Sequence, residues 1–129
     1  MSDWKILVSD GLSAGGLAIL KAAGQVDDKP GISAEELLAT AGEYDAFVIR
    51  GRTKVTAAVF EAATKLKVVG RAGVGVDNID LAAARARGVT VVNAPKSTSL
   101  AVAELALGLM FAVARRIPFA DATLKPGQW

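Results

Sequence analysis

Arg50 and Arg71 each stand at the end of a short apolar run, Ala46–Ile49 before the first and Val68-Val69-Gly70 before the second. Two guanidinium groups leaving neighbouring strands on one sheet edge can chelate a phosphate through charge-assisted, bidentate hydrogen bonds. The same arginines can instead pair with Asp45 or Asp77 on a solvated rim, and spacing alone leaves both readings open. Behind Arg71 runs Ala72-Gly73-Val74-Gly75-Val76-Asp77-Asn78-Ile79-Asp80, and glycines at this density let backbone N–H groups approach an anion closely. The N–H groups of Val74 and Gly75 are the candidates to hold a carboxylate; a tight turn with no ligand is the alternative. Gly73-Val74-Gly75 opens like the dinucleotide fingerprint G-x-G-x-x-G. However, Asn78 fills the third glycine position, and Asn93 stands where the ribose-binding acid belongs. The run is therefore not read as a cofactor loop. A third polar segment, Asn93-Ala94-Pro95-Lys96-Ser97-Thr98-Ser99, leads into a long apolar stretch. There Thr98 and Ser99 either cap a helix or help its N-terminus meet an anion.

The elements that must position these residues recur at a regular spacing. Strand-like runs begin near Lys5, Gln25, Ala46, Lys67 and Val89, with continuous apolar cores such as Ile6-Leu7-Val8 and Val89–Val92. Continuous apolar strands are covered on both faces, as in parallel sheets. The run Gln25–Asp28 has only Val26 as an apolar residue and reads as an edge. Helical patterns lie between the strands. Ser33-Ala34-Glu35-Glu36 has capping-box spacing, Asp80 is an N-cap for Leu81–Arg87, and Gly24, Gly42 and Gly88 fall where helices end. Strand–helix alternation of this kind predicts right-handed βαβ units. The fold expected is a flavodoxin-like, doubly wound, five-stranded parallel sheet with helices on both faces. Ligands in such sheets sit beyond the carboxyl ends of the strands, where Arg50, Arg71 and Asn93 lie.

From Leu100 to Ala114 the only charged residue is Glu104. A helix apolar on all sides must be covered on all sides. The expected organisation is a core over 1–98 and a segment over 99–129, whose helix, Ser99–Arg116, packs back on the sheet or forms a homodimer, with exchange between copies possible. Pro118 is expected to end that helix, and Leu124–Trp129 to lead into further chain.

Composition narrows the function classes. The 129 residues are 52% hydrophobic and 22% charged with net charge +2, which excludes global disorder. Cysteine and histidine are both absent, so thiolate and imidazole chemistry is excluded, and no metal site is expected. Basic residues are scattered without interleaved aromatics, which argues against nucleic acid. Asp3, Lys5, Asp10 and Gly11 interrupt any leader-like apolar run, and no stretch is long enough to span a bilayer. A cytoplasmic protein without a membrane partner is expected.

Arg50 with Thr53-Lys54-Val55-Thr56, the run Gly70–Asp80, Asn93-Ala94-Pro95, Ala103-Glu104-Leu105 and the closing Leu124-Lys125-Pro126-Gly127-Gln128-Trp129 together resemble the D-isomer-specific 2-hydroxyacid dehydrogenases. The resemblance covers essentially the whole chain. It implies that Arg50 and Arg71 contact a substrate phosphate, that the backbone of Gly73, Val74 and Gly75 holds its carboxylate, and that Thr98 lies near the nicotinamide of NAD. The implied reaction of the complete enzyme is oxidation of 3-phosphoglycerate to 3-phosphohydroxypyruvate, the entry to serine synthesis. The family's nucleotide-binding segment and its catalytic arginine, glutamate and histidine fall beyond Trp129. No catalytic residue and no cofactor are therefore assigned to this chain. It is expected to be inactive alone, to bind a small phosphorylated hydroxy acid weakly, and to dimerise through the Ser99–Arg116 helix. The sequence departs from the family at Gly51 and Arg52, expected to reshape the phosphate pocket or add charge to it, and at Thr98, where asparagine is commoner. The alternative is a free-standing flavodoxin-like module for small anions or flavin, with Gly11-Leu12-Ser13-Ala14-Gly15-Gly16 as a thin phosphate loop.

Overall fold

The computed structural model describes residues 4–128. Asp3 and Trp129, both used in the sequence reading, lie outside them. The chain divides into two compact units, 1–95 and 96–129.

The first unit alternates strands and helices: β1 (Lys5–Val8), α1 (Ala14–Ala23), β2 (Gln25–Asp28), α2 (Ala34–Thr40), a 3-10 turn (Ala41–Glu43), β3 (Ala46–Ile49), α3 (Ala57–Ala62), β4 (Val68–Arg71), α4 (Leu81–Ala86) and β5 (Thr90–Asn93). All strand pairs are parallel, in the order β2-β1-β3-β4-β5. This is the flavodoxin-like arrangement expected from the spacing, with β2 at an edge.

Register explains the core. Leu7 pairs with Phe47, Phe47 with Val69 and Val69 with Val91, so these residues form one row across the sheet. They pack with Leu37, Val59, Phe60 and Ala84 of α2, α3 and α4 and with Tyr44, which follows the 3-10 turn. Tyr44 meets Phe47 edge-on at 6.1 Å and donates its hydroxyl to Asp27 Oδ2 at 3.0 Å, so its buried polar end is satisfied. Alternate residues face the other side. There Ile6, Val8 and Ala46 are buried, Val48 and Val68 are half-buried, and Val92 is 49% exposed. Coverage on this second face therefore fades from β1 towards β5. Residues Leu12, Ile19 and Leu20 of α1 and the turn before it share a cavity of about 300 Å³ with Val48, Gly70 and Val92, which places α1 on that face.

Helix ends follow local chemistry. Ser33 and Asp80 each accept from the backbone N–H three residues on, Glu36 at 3.1 Å and Ala83 at 2.9 Å. Glu36 sends its carboxylate to Lys29 at 2.9 Å. Gly88 closes α4 at φ +67°, the left-handed geometry in which glycine carries no steric cost. The other two glycines act differently: Gly24 is extended, and Gly42 lies inside the 3-10 turn.

The second unit contains α5 (Ser99–Ala114) and α6 (Ile117–Leu124), which contact each other. Pro118 does not end the long helix. The chain turns at Arg116, whose φ of +51° breaks the helix, and Pro118 then sits in the first turn of α6, where its missing N–H costs nothing. The Arg116 guanidinium lies 4.4 Å from the Phe119 ring centre. No residue of α5 is buried, and Leu100, Val102, Leu105, Leu109, Met110, Phe111 and Val113 are all more than half exposed. No helix among the described residues is long and apolar enough to cross a membrane.

Candidate functional site

The carboxyl ends of β1, β3 and β4 bring together residues widely separated in sequence. Asp10, just past β1, accepts from the Arg50 N–H at 2.7 Å, the Thr53 N–H at 3.2 Å and the Thr53 hydroxyl at 2.7 Å. The Thr53 hydroxyl also lies 2.8 Å from Ser9 Oγ, which is fully buried. The loop after β3 is thus wrapped around one carboxylate. Burial pushes the Asp10 carboxyl up, but the hydrogen bonds from Thr53, Arg50 and Arg52 outweigh it and hold the group below its ordinary value.

The other side of this loop is tied to the glycine run. Asn78 donates through Nδ2 to the carbonyl of Arg50 at 2.9 Å and to that of Thr53 at 2.7 Å. Arg71 Nε donates to the Arg50 carbonyl at 3.2 Å. Arg50 follows β3, whose Ile49 pairs with Arg71, and the Arg71 side chain is thereby tied to the Arg50 backbone. Neither forms an ion pair among the described residues. Asp45, the partner considered for a bland rim, pairs with Lys67 at 3.0 Å and accepts the Lys5 N–H at 3.1 Å.

The glycine run makes room for this geometry. The Arg71 guanidinium packs into the space a Cβ on Gly73 would take, so a larger residue there would displace that side chain. The Gly73 carbonyl accepts the Ala94 N–H at 2.9 Å, and Asn93 Nδ2 donates to the Val74 carbonyl at 2.7 Å. The end of β5 thus holds the turn from below. The N–H groups of Val74 and Gly75 find no acceptor among the described residues, and both residues are exposed.

Arg50, Arg71, Gly73, Val74 and Gly75 therefore share one sheet edge. Thr98 belongs to the second unit, at the N-cap position of α5, where its side chain makes no capping bond. Sequence reading missed Asp10, Thr53 and Asn78 as organisers of the site. In the sequence Asn78 reads only as a missing glycine, although a short amide facing two carbonyls is a common way to fix a turn. Its Oδ1 is buried without a hydrogen-bond partner among the described residues.

The sequence profile of the D-isomer specific 2-hydroxyacid dehydrogenase catalytic domain matches residues 6–123. The chain belongs to this family. It is 54% identical over 125 residues to D-3-phosphoglycerate dehydrogenase of Methanocaldococcus jannaschii, covering 97% of this chain and 24% of the relative. The rat enzyme of the same name is 49% identical over 126 residues, with the same coverage of each chain. The chain thus spans about a quarter of the length of the curated relatives it matches. Among solved structures, the 2-hydroxyacid dehydrogenase of Ketogulonicigenium vulgare superposes with TM-score 0.83 at 31% identity, covering 100% of this chain and 41% of that one. The NAD+-bound 3-phosphoglycerate dehydrogenase of Entamoeba histolytica gives 0.72 at 26% identity, covering 86% and 39%.

Against these 2-hydroxyacid dehydrogenases, the free-standing flavin module is not favoured. Ser13, in its supposed phosphate loop, spends its oxygen on the Gly16 N–H at 3.3 Å as the cap of α1. Nor do the glycine-run residues fit a dinucleotide. Gly73 is buried beneath Arg71, and Asn78, in the third fingerprint position, is committed to two carbonyls.

Proposed function

We propose that this chain is the substrate-binding portion of an NAD-dependent D-3-phosphoglycerate dehydrogenase, a cytoplasmic enzyme that oxidises 3-phosphoglycerate to 3-phosphohydroxypyruvate. Arg50 and Arg71 grip the phosphate, and the N–H groups of Val74 and Gly75 hold the carboxylate. The observation that carries the reading is that Arg50 and Arg71, which form no ion pair among the described residues, stand together where Arg71 Nε donates to the Arg50 carbonyl, beside a turn whose Val74 and Gly75 N–H groups find no acceptor among the described residues. Two cations at one end and two amide donors at the other suit a ligand with a phosphate and a carboxylate on a short carbon chain. Relatives carrying that enzyme's name support the substrate. NAD supplies the hydride acceptor in such enzymes, and Thr98 is the residue of this chain assigned to its nicotinamide end. The core over 1–98 carries the substrate, and 99–129 carries the crossing helix. The 129 residues contain no histidine to move the substrate's proton, so alone they bind without turnover.

Titration of the purified chain with 3-phosphoglycerate, followed by amide NMR shifts, tests the reading. Saturable shifts at Val74 and Gly75 are expected, and Arg50→Ala or Arg71→Ala should weaken binding about 10–100-fold. D-lactate, which lacks the phosphate, should bind far more weakly and be indifferent to both substitutions. Equal binding of D-lactate and 3-phosphoglycerate, or quenching of riboflavin phosphate fluorescence by the chain, overturns it.

A further inference from the structure

We propose that a second cavity, separate from the arginine site, binds a small amphipathic anion with its tail inward and its charged head on Arg52 and Lys54. The cavity lies between α2, α3 and the loop that joins β3 to α3, and measures about 360 Å³. At about 30 Å³ per small heavy group, that is room for roughly ten to twelve non-hydrogen atoms. Its floor is aliphatic: Leu37 and Val59 are buried, and Leu38 leaves 43% of its surface exposed. An apolar tail laid there removes that surface from water.

The mouth has the opposite character. Arg52 and Lys54 both line it, no carboxylate does, and neither cation forms an ion pair among the described residues. The nearby acid Glu36 is already held by Lys29. Arg52 Nη2 rests against Gly31. Thr56 lines the same cavity and makes no capping bond with its hydroxyl, so it can donate to an anionic head. An aliphatic floor under two uncommitted cations and a hydroxyl matches an alkyl chain ending in a carboxylate.

None of Arg50, Arg71, Gly73, Val74 and Gly75 lines this cavity, so the inference does not rest on the proposed substrate. Its test is amide NMR titration of the whole chain with octanoate, whose ten heavy atoms fit the volume. Leu37, Leu38 and Val59 should shift together along one saturating curve below about 10 mM, while Val74 and Gly75 stay in place. Arg52→Ala combined with Lys54→Ala should weaken binding about tenfold with an unchanged urea midpoint, since both side chains are exposed. Leu38→Gln should weaken it by removing part of the floor, and 1-octanol should bind about tenfold less tightly than octanoate. Equal affinity for 1-octanol, an unaltered affinity in the double variant, or shifts centred on α5 or on Val74 and Gly75 would overturn the assignment.

Discussion

Asp10 does at the strand ends what a helix cap does elsewhere: it turns several backbone donors towards one charge. Its removal leaves the Arg50 and Thr53 N–H groups and the Thr53 hydroxyl without their acceptor. At a partly wet rim that loss is about 1–2 kcal/mol. Because the folded carboxyl titrates below its ordinary value of 3.8, its stabilisation is complete above that value and is lost as pH falls through the lower folded one. Asp10→Ala should therefore unfold at lower urea than the native chain at pH 7, and the gap should narrow by pH 3. Urea melts at the two pH values check this, and a gap of equal size at both would exclude the carboxylate's charge as the cause. The residues proposed to touch a ligand are legible because arginines at strand exits and clustered glycines are unusual in type. Asp10, Thr53 and Asn78 are not, because ordinary polar residues become organisers only when β1, β3 and the glycine run are brought side by side.

At the scale of elements, alternation and caps carried most of the information. The five strands begin at or within a residue of the expected positions: four contain short apolar runs set apart by polar turns, and β2, with Val26 alone, sits at the sheet edge. Ser33 and Asp80 cap where their spacing to the next donors placed them. Ser33→Ala should cost about 1 kcal/mol of stability, as α2 loses the acceptor for Glu36 N–H while Leu37 stays in the core. A thermal melt lowered by several degrees is the expected result, and an unchanged melt would mean that α2 frays without consequence for the core. The break between α5 and α6 was misplaced, because proline reads as a stop whereas it is equally suited to a first turn. The stop is a left-handed arginine, which sequence does not announce.

For the whole molecule, the exposed apolar surface of α5 is the largest unresolved account. Leu105 and Leu109, one turn apart, are 63% and 57% exposed in a helix whose only charge is Glu104. Surface of this kind drives association, and a homodimer through α5 is the expected state. Light scattering at about 100 µM should give twice the chain mass, and Leu105→Glu with Leu109→Glu should return the single-chain value at unchanged helical circular dichroism. A native chain that runs as a monomer would remove the dimer and leave the proposed ligand sites standing.

The strand order has a last consequence, for the chain while it is being made. Ala46 pairs with Val68 and Val68 with Thr90, so from β3 onward each strand joins the edge left open by its predecessor, at a constant interval along the chain. A ribosome emits this polypeptide in the order in which the sheet can be assembled: β1 waits for β2 and β3, and β4 and β5 then dock as they emerge. At about 5–20 residues per second, each new edge stands open for a few seconds before its partner arrives. Through those seconds the backbone N–H and C=O groups along the outer edge of β3, and then of β4, have no strand partner.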